Sequence, residues 1–301
     1  MDILQISLLG SIRIAHDGQP AAVKMTRKIQ ALLAFLVLHR QRSYPREVVA
    51  SLFWADYSQK RALNCLSTAL WRLRRVLEPR DIPRGTYIVT APPAEVGFNP
   101  QSEHWLDVAA FEEQVARVLA MPIPAVEDTD AQALERAVRL YAGDLLEGFY
   151  DDWVLQEQER LRRLYLDALA YLMGYYRRHA AFAESLACGE RILHLDPLRE
   201  EIHREMMRLY LDNGQRAHAA QQYEHCRQAL AEELGMTPME ETQAVFAQIA
   251  RTGCAGRIPA APGAPSNLQQ TLQELRLDLR RLDEARSHLH QAIQLVEQFT
   301  E

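Results

Sequence analysis

The chain has 301 residues, of which 48% are hydrophobic and 25% are charged, as in an ordinary soluble globular protein of two or three domains. No apolar run approaches the roughly 20 residues that a membrane span needs, and the first residues lack the pattern of a signal peptide. We therefore expect a cytoplasmic protein without a membrane partner. Its four cysteines form no Cys-x2-Cys pair, which argues against a disulfide framework or a cysteine-based zinc site.

The net charge of −6 conceals two parts of opposite sign. Residues 1–98 carry 14 Lys and Arg against 7 Asp and Glu, a balance of +7. The remaining residues carry 20 basic and 33 acidic side chains, a balance of −13. A basic segment on an acidic body is typical of a segment that faces a polyanion such as nucleic acid.

The first hundred residues predict a small sheet, three helices and a hairpin. The predicted elements are strands at 3–9, 12–15 and 22–25, helices at 26–40, 45–54 and 60–77, and hairpin strands at 86–90 and 96–98. Thr26 is the expected N-cap of the first helix, and Ser43 or Tyr44 lies near the cap of the second. This order is that of a winged helix-turn-helix, whose second motif helix enters the DNA major groove.

The segment from Lys60 to Leu77 predicts a helix with one apolar and one basic face. The leucines at 63, 66, 70, 73 and 77 share one side, because their spacing alternates between three and four residues. The other side collects Arg61, Asn64, Thr68, Arg72 and Arg75, with Lys60 and Trp71 at its margin. No acidic residue occurs between Asp56 and Glu78. A solvated face with a basic bias and a polyanion-binding face both fit this pattern, and the charge balance of residues 1–98 favours the second.

On a DNA-binding face, the side chains divide between bases and phosphates. The residues expected to face base edges are Arg61, Asn64, Thr68 and Arg72, and those expected to hold phosphates are Lys60, Arg74 and Arg75. Asn pairs well with adenine, Arg pairs well with guanine, and Thr can contact the thymine methyl group. Trp71 has two interpretations, a DNA contact at the helix margin or a half-buried core residue.

From residue 103 the sequence is almost entirely helical. The predicted helices are 104–120, 131–143, 151–179 as one helix or two, 180–197, 198–214, 215–235 and 237–250. A shift of 35 residues superimposes Tyr175 on Tyr210 and Leu195 on Leu230, close to the period of 34 in tetratricopeptide repeats. Such stacked helix pairs build a concave surface that binds proteins.

The last fifty residues predict a linker and a further helix. Residues 252–267 are rich in Gly, Ala and Pro without a period, which indicates a linker. Apolar residues from Leu268 to Val296 keep heptad spacing, interrupted by Arg286. This pattern fits a coiled coil that joins two copies, or a single amphipathic helix docked on the repeat domain.

The sequence contains no pattern of residues that indicates catalysis. It has no phosphate-binding loop, no His-Glu-x2-His motif and no nucleophile elbow. Its carboxylate pairs are adjacent on helices and point about 100° apart, which is unsuitable for an acid–base pair. We therefore expect neither an enzyme nor a bound metal or cofactor.

Several segments resemble the SARP family of transcriptional activators. The runs LLGSIRIAHDGQP, RKIQALLAFLVLH, PREVVASLFWAD and LNCLSTALWRLRRVLEP look like the OmpR-type winged helix of that family. The later Asp-Pro-Leu-Arg-Glu and Glu-Leu-Gly-Met-x-Pro signatures resemble its bacterial transcriptional activation domain, which is tetratricopeptide-like. The likeness covers about residues 2–250, and one departure is the hairpin turn at 91–95, which lacks the arginine and glycine common in the family.

The resemblance and the pattern of the last fifty residues together predict a four-part, mainly α protein with a small β component, in which the C-terminal heptad segment is a second departure from the family. The expected parts are a winged helix-turn-helix at 1–100, a tetratricopeptide-like activation domain at 101–251, a linker at 252–267 and an amphipathic heptad helix at 268–301. The family pattern implies binding to repeated sites in double-stranded promoter DNA and contact with RNA polymerase. We also expect a homo-oligomer on the DNA, with the C-terminal helix as a candidate contact between copies. The alternative is a tetratricopeptide-like scaffold or signalling adaptor whose basic N-terminal module binds an acidic protein.

Overall fold

The computed structural model describes residues 3–20, 25–79, 81–92 and 94–252, and for residues 250–252 only the backbone is described. The chain divides into one compact unit at Met1–Ile249 and another at Ala250–Glu301. The described residues lie in the first unit and in the helix that begins there. The predicted heptad helix and almost all of the predicted linker lie outside the described residues.

Short strands form two small sheets. In chain order they are β1 Leu4–Ser7, β2 Arg13–His16, β3 Gln19–Pro20, β4 Tyr44–Pro45, β5 Ile88–Ala91, β6 Glu95–Phe98 and β7 His104–Leu106. The first sheet has the order β3-β2-β1-β7, in which β1 is antiparallel to β2 and parallel to β7. The second has the order β4-β6-β5, and the β5–β6 hairpin forms the wing.

Helices make up most of the described chain. They are α1 Arg27–Leu38, α2 Arg46–Phe53, α3 Gln59–Leu77, α4 Asp107–Leu119, α5 Asp128–Leu140, α6 Asp152–Arg178, α7 Phe182–Leu195, α8 Glu200–Asp212, α9 Arg216–Leu234 and α10 Glu240–Thr252. Helices α6 and α7 pack as neighbours, as do α8 and α9, in the manner of helical repeats. The observed architecture is mainly α with a small β component, as predicted.

Two predicted helix starts are strands in the structure, and one predicted strand is almost undescribed. His104–Leu106 pairs with β1, and Tyr44–Pro45 pairs with β6, so the helices that follow begin later than predicted. Both errors have one cause, because a strand of two or three residues is specified by a distant partner and not by its own pattern. Of the predicted strand at 22–25, only residue 25 is described, and the segment 151–179 is one continuous helix.

A buried aspartate joins the first sheet to the helices from α4 onward, called here the helical part. Asp107 is 3% exposed, and its carboxylate accepts hydrogen bonds from the backbone N–H groups of Leu8 at 2.8 Å, Leu9 at 2.9 Å and Val108 at 2.7 Å. Burial raises the pKa of this carboxyl group, and the N–H donors act in the opposite direction. Because Leu8 and Leu9 follow the end of β1, the carboxylate continues the hydrogen bonding where the parallel pairing with β7 ends.

Aromatic rings join the helix-turn-helix to the first turn of α6. Trp153 lies edge-to-face with Phe35 of α1, at 5.5 Å between ring centroids, and at 6.3 Å from Phe53 of α2. Nearby, Arg27 covers the ring of Phe149 at 4.6 Å and donates to the carbonyl of Gly148. One hydrophobic cluster extends from β1 to α8. The winged part, from β1 to β6, and the helical part therefore share a core.

Replacing Asp107 with alanine tests the first of these joints. Asp107→Ala removes the acceptor of three buried N–H groups, so we expect the free energy of unfolding to fall by about 3–5 kcal/mol. Urea unfolding followed by circular dichroism measures the change. Asp167→Ala, at an exposed position of α6, is the control and should change it by less than about 0.5 kcal/mol. Equal losses in the two variants would contradict the role given to Asp107.

Candidate nucleic-acid interface

Helix α3 is anchored by its apolar face and leaves the opposite face in solvent. Its buried residues are Ala62, Leu66, Ala69, Leu70, Leu73, Val76 and Leu77, whereas Leu63 is only half-buried. The first turn contains no acidic residue, although a carboxylate there would stabilise the helix. The unpaired N–H groups of the helix start and the side chains of Lys60 and Arg61 therefore make this end strongly positive.

Seven of the eight predicted DNA-contacting residues are exposed on α3. They are Lys60, Arg61, Asn64, Thr68, Trp71, Arg72 and Arg75. Two of the arginines lie against aromatic rings, Arg61 at 4.3 Å from the Tyr57 ring centroid and Arg75 at 5.0 Å from that of Trp71. Within the described residues, the ion pair of α3 is Arg74–Glu78, so the exposed positive charges are uncompensated there.

The polar side chains between these charges keep hydrogen-bonding groups that can bind a ligand. The Thr68 hydroxyl donates to the backbone carbonyl of Asn64 at 3.1 Å, while the Asn64 side chain is exposed and makes no hydrogen bond to another described residue. Trp71 is 52% exposed, so its interpretation as a core residue is wrong. An amide, a hydroxyl and an aromatic ring thus lie among uncompensated arginines, a combination that suits base edges and phosphates.

Arg74 does not belong to the exposed face. Its guanidinium donates to the carbonyl of Ile88 at 3.1 Å and lies 3.9 Å from the Glu78 carboxylate, and the side chain is 15% exposed. Burial lowers the pKa of Arg74, and the nearby Arg84 adds to this effect. Because Arg74 is two residues from Arg72, it projects about 200° around the helix, toward the hairpin. We therefore remove Arg74 from the expected phosphate contacts and assign it to positioning the wing.

Glu78 fixes the hairpin against the end of α3. Its carboxylate, 2% exposed, accepts hydrogen bonds from the N–H groups of Gly85 at 3.0 Å, Tyr87 at 2.9 Å and Ile88 at 2.9 Å. The wing is therefore held at a fixed place beside the exposed face of α3. At the other end of the hairpin, Glu95 lies in β6 opposite Pro45, where a carboxylate is unfavourable for binding phosphate.

The start of α1 borders the exposed face of α3, which the sequence did not indicate. A groove of about 350 Å³ separates them, and among its lining residues are Thr26, Lys28, Trp54, Arg61, Asn64, Cys65, Thr68 and Arg72. The Lys28 ammonium lies 5.6 Å from the Trp54 ring centroid and adds a positive charge to this surface. The pattern of α1 predicts which residues it buries, but not which neighbour its first turn meets.

Several features typical of other functional classes are absent from the described residues. There, no group of three or more His, Cys, Asp or Glu side chains could hold a metal ion. None of the described helices is long and apolar enough to cross a membrane. Cys188 and Cys226 are buried free thiols, and burial raises the pKa of each to about 11, which disfavours the reactive thiolate.

Comparison with known proteins gives consistent matches. The family profile described as "Bacterial transcriptional activator domain" matches residues 106–250. Regulatory protein AfsR of Streptomyces coelicolor is 25% identical over 236 residues, which cover 78% of this chain and 23% of AfsR. Transcriptional regulatory protein MoaR1 of Mycobacterium tuberculosis is 25% identical over 261 residues, which cover 82% of this chain and 79% of MoaR1. The chain thus spans about a quarter of AfsR and most of MoaR1.

A solved structure has the same fold. Mycobacterium tuberculosis EmbR, in complex with a low-affinity phosphopeptide, superimposes with a TM-score of 0.70 at 21% sequence identity. The match covers 84% of this chain and 66% of that EmbR chain. The predicted fold class is confirmed for the winged and helical parts.

Two neighbouring arginines of α3 provide a test of the assigned positions. Arg74→Ala removes the hydrogen bond to Ile88 and leaves Glu78 without its cation, so it should lower the free energy of unfolding by about 1–2 kcal/mol. Arg72→Ala, on the exposed face of the same helix, should change it by less than about 0.5 kcal/mol. Thermal and urea unfolding of both variants measure the difference. An Arg72 variant as unstable as the Arg74 variant would overturn the assignment.

Proposed function

We propose that the chain is a transcriptional regulator of the SARP family that binds promoter DNA sequence-specifically through α3 and activates transcription. The match of residues 106–250 to the bacterial transcriptional activator domain and the 25% identity to AfsR and MoaR1 support this proposal. The observation that carries this proposal is the exposed face of α3, with its uncompensated positive charges and its free Asn64 amide. A surface of this composition attracts the phosphate backbone and can discriminate base edges.

The exposed residues divide by the chemistry of their side chains. Those that read bases are Arg61, Asn64, Thr68 and Arg72, and those that hold phosphates are Lys60, Arg75 and Lys28. Trp71 contacts the sugar–phosphate backbone with its exposed ring. The wing approaches the adjacent groove with Glu95 near its turn, so it contributes little to phosphate binding.

The remaining parts of the proposal concern partners. The winged part is residues 1–100, and the helical part, residues 101–251, contacts RNA polymerase. Copies of the chain bind side by side on repeated sites in the cytoplasm, with the heptad segment 268–301 as a second contact between them. The protein acts by binding and catalyses no reaction.

Selection from random DNA tests the proposal directly. The full chain is mixed with pooled random duplexes at two salt concentrations, and the retained DNA is sequenced. A recurring motif, bound more weakly at the higher salt concentration, is the expected result. If no sequence is enriched and binding is weak at low salt as well, the DNA-binding function is rejected in favour of a scaffold whose basic module binds an acidic protein.

Two single variants separate base reading from phosphate binding. Asn64→Ala should weaken binding to the selected motif by about 1–3 kcal/mol and relax the preference at one base pair. Lys28→Ala should weaken binding to all sequences alike and reduce the slope of log affinity against log salt by about 1. Fluorescence anisotropy on the motif and on single-base variants measures both effects. Equal loss on every sequence in the Asn64 variant would show that Asn64 reads no base.

A further inference from the structure

The turn between α9 and α10 exposes three large apolar side chains. Leu234 is 53% exposed, Met236 60% and Met239 59%. Single exposed apolar residues are ordinary on protein surfaces, but a contiguous group marks an interaction site. Among the large hydrophobic residues exposed in the described part of the chain, other neighbours occur in pairs, whereas here three fall within six positions. We call residues 234–239 the methionine turn.

Hydrogen bonds hold the backbone of the methionine turn at both of its ends. Gly235 adopts φ 65° and ends α9. Its N–H donates to the carbonyl of Ala231, and the N–H of Met236 donates to the carbonyl of Leu230. The N–H of Met239 donates to the Glu200 carboxylate at 2.9 Å, and Pro238 is buried. The three apolar side chains are therefore presented to solvent on a fixed frame, which lowers the entropy cost of binding a partner.

Carboxylates flank these apolar side chains along the chain, and a nearby guanidinium, that of Arg204, donates to the Thr242 hydroxyl at 2.9 Å. Glu232, Glu233, Glu240 and Glu241 are exposed, and no Lys or Arg occurs from residue 228 to residue 250. Within the described residues, Glu233, Glu240 and Glu241 form no ion pair. An apolar centre with a rim of one charge sign is complementary to a partner with apolar anchors and a rim of the opposite sign.

We propose that the methionine turn docks a protein partner that inserts aliphatic or aromatic side chains between Leu234, Met236 and Met239 and surrounds them with Lys and Arg. Methionine suits this role because its flexible, polarizable side chain adapts to the shape of an incoming group. The inference rests on the proposed function, since the partner is the RNA polymerase holoenzyme at the promoter. It assigns to that contact one surface and one charge pattern.

The test uses the full chain with RNA polymerase holoenzyme of its source organism, on and off the selected DNA. An apolar variant combines Leu234→Ser, Met236→Gln and Met239→Gln, and a charge variant combines Glu233→Gln, Glu240→Gln and Glu241→Gln. Leu155→Gln, at an exposed apolar position of α6, is the matched control. Binding to DNA, binding to polymerase, melting temperature and sedimentation are measured for each.

The expected result is a loss of polymerase binding without a loss of DNA binding. The apolar variant should bind polymerase at least about tenfold more weakly. The charge variant should bind more weakly at low salt and show a smaller salt dependence. The control should match the wild type in polymerase and DNA affinity, and all variants should retain their DNA affinity. The melting temperature should be unchanged except in the charge variant, which loses two carboxylates from the first turn of α10 and should melt no more than a few degrees lower.

Other results reject the inference or the proposed function separately. Equal polymerase affinity in all four proteins, or no polymerase binding by the wild type, overturns the docking surface. A change of oligomeric state in the apolar variant overturns it too, because the methionine turn then joins two copies of the chain. A wild type that binds polymerase but no DNA leaves the docking surface in place and rejects the DNA-binding function.

Discussion

The hydrogen bonds from Leu8 and Leu9 to the Asp107 carboxylate are the constraint on which the arrangement of the described chain depends. Strand β1 ends one residue before Leu8, and a buried N–H group left without an acceptor costs about 1–3 kcal/mol. Asp107 stands at the start of α4, directly after β7, and supplies the acceptor at that point. The winged part cannot turn away from the helical part without exposing these donors or leaving them unpaired.

The aromatic contact of Trp153 with Phe35 and Phe53 adds a second joint at the helix-turn-helix itself. Together, the two joints hold α3 in a fixed orientation relative to α6. The same principle operates at the wing, where Glu78 holds the start of the hairpin through three backbone N–H groups. A DNA-contacting surface benefits from such rigidity, because little conformational entropy is lost when it binds. On the proposed function, a partner docked on the helical part is placed at a defined position along the DNA.

The local sequence pattern predicted most of the helices and strands. It failed at positions whose structure is determined by contacts with residues far away in the sequence. The spacing of Leu66, Leu70 and Leu73 located the buried face of α3 and hence the exposed one. The same spacing could not show that Arg72 is exposed whereas Arg74 contacts the hairpin. The partner of Arg74, the carbonyl of Ile88, lies 14 residues further along the chain, outside the helix. Likewise, residues 104–106 form strand β7 because they pair with the edge of β1, which their own sequence pattern does not reveal. Lys28 lies in the candidate site because α1 packs beside α3, a contact that the pattern of α1 does not predict. Asp107 appeared in the sequence as one more helical carboxylate, since nothing near it reveals the two N–H groups almost a hundred residues away.

Native-state hydrogen exchange most directly tests whether the two parts form one cooperative unit. The amides of Leu8 and Leu9 are compared with those of buried residues in α3 and in α6, over a series of low urea concentrations. If the joints hold as described, all three groups exchange with the same opening free energy and the same urea dependence, that of global unfolding. Exchange of Leu8, Leu9 and α3 through a separate opening of lower free energy and smaller urea dependence, with α6 still protected, would contradict the account. The winged part would then open without the helical part, and the orientation of α3 would not be fixed by Asp107 and Trp153.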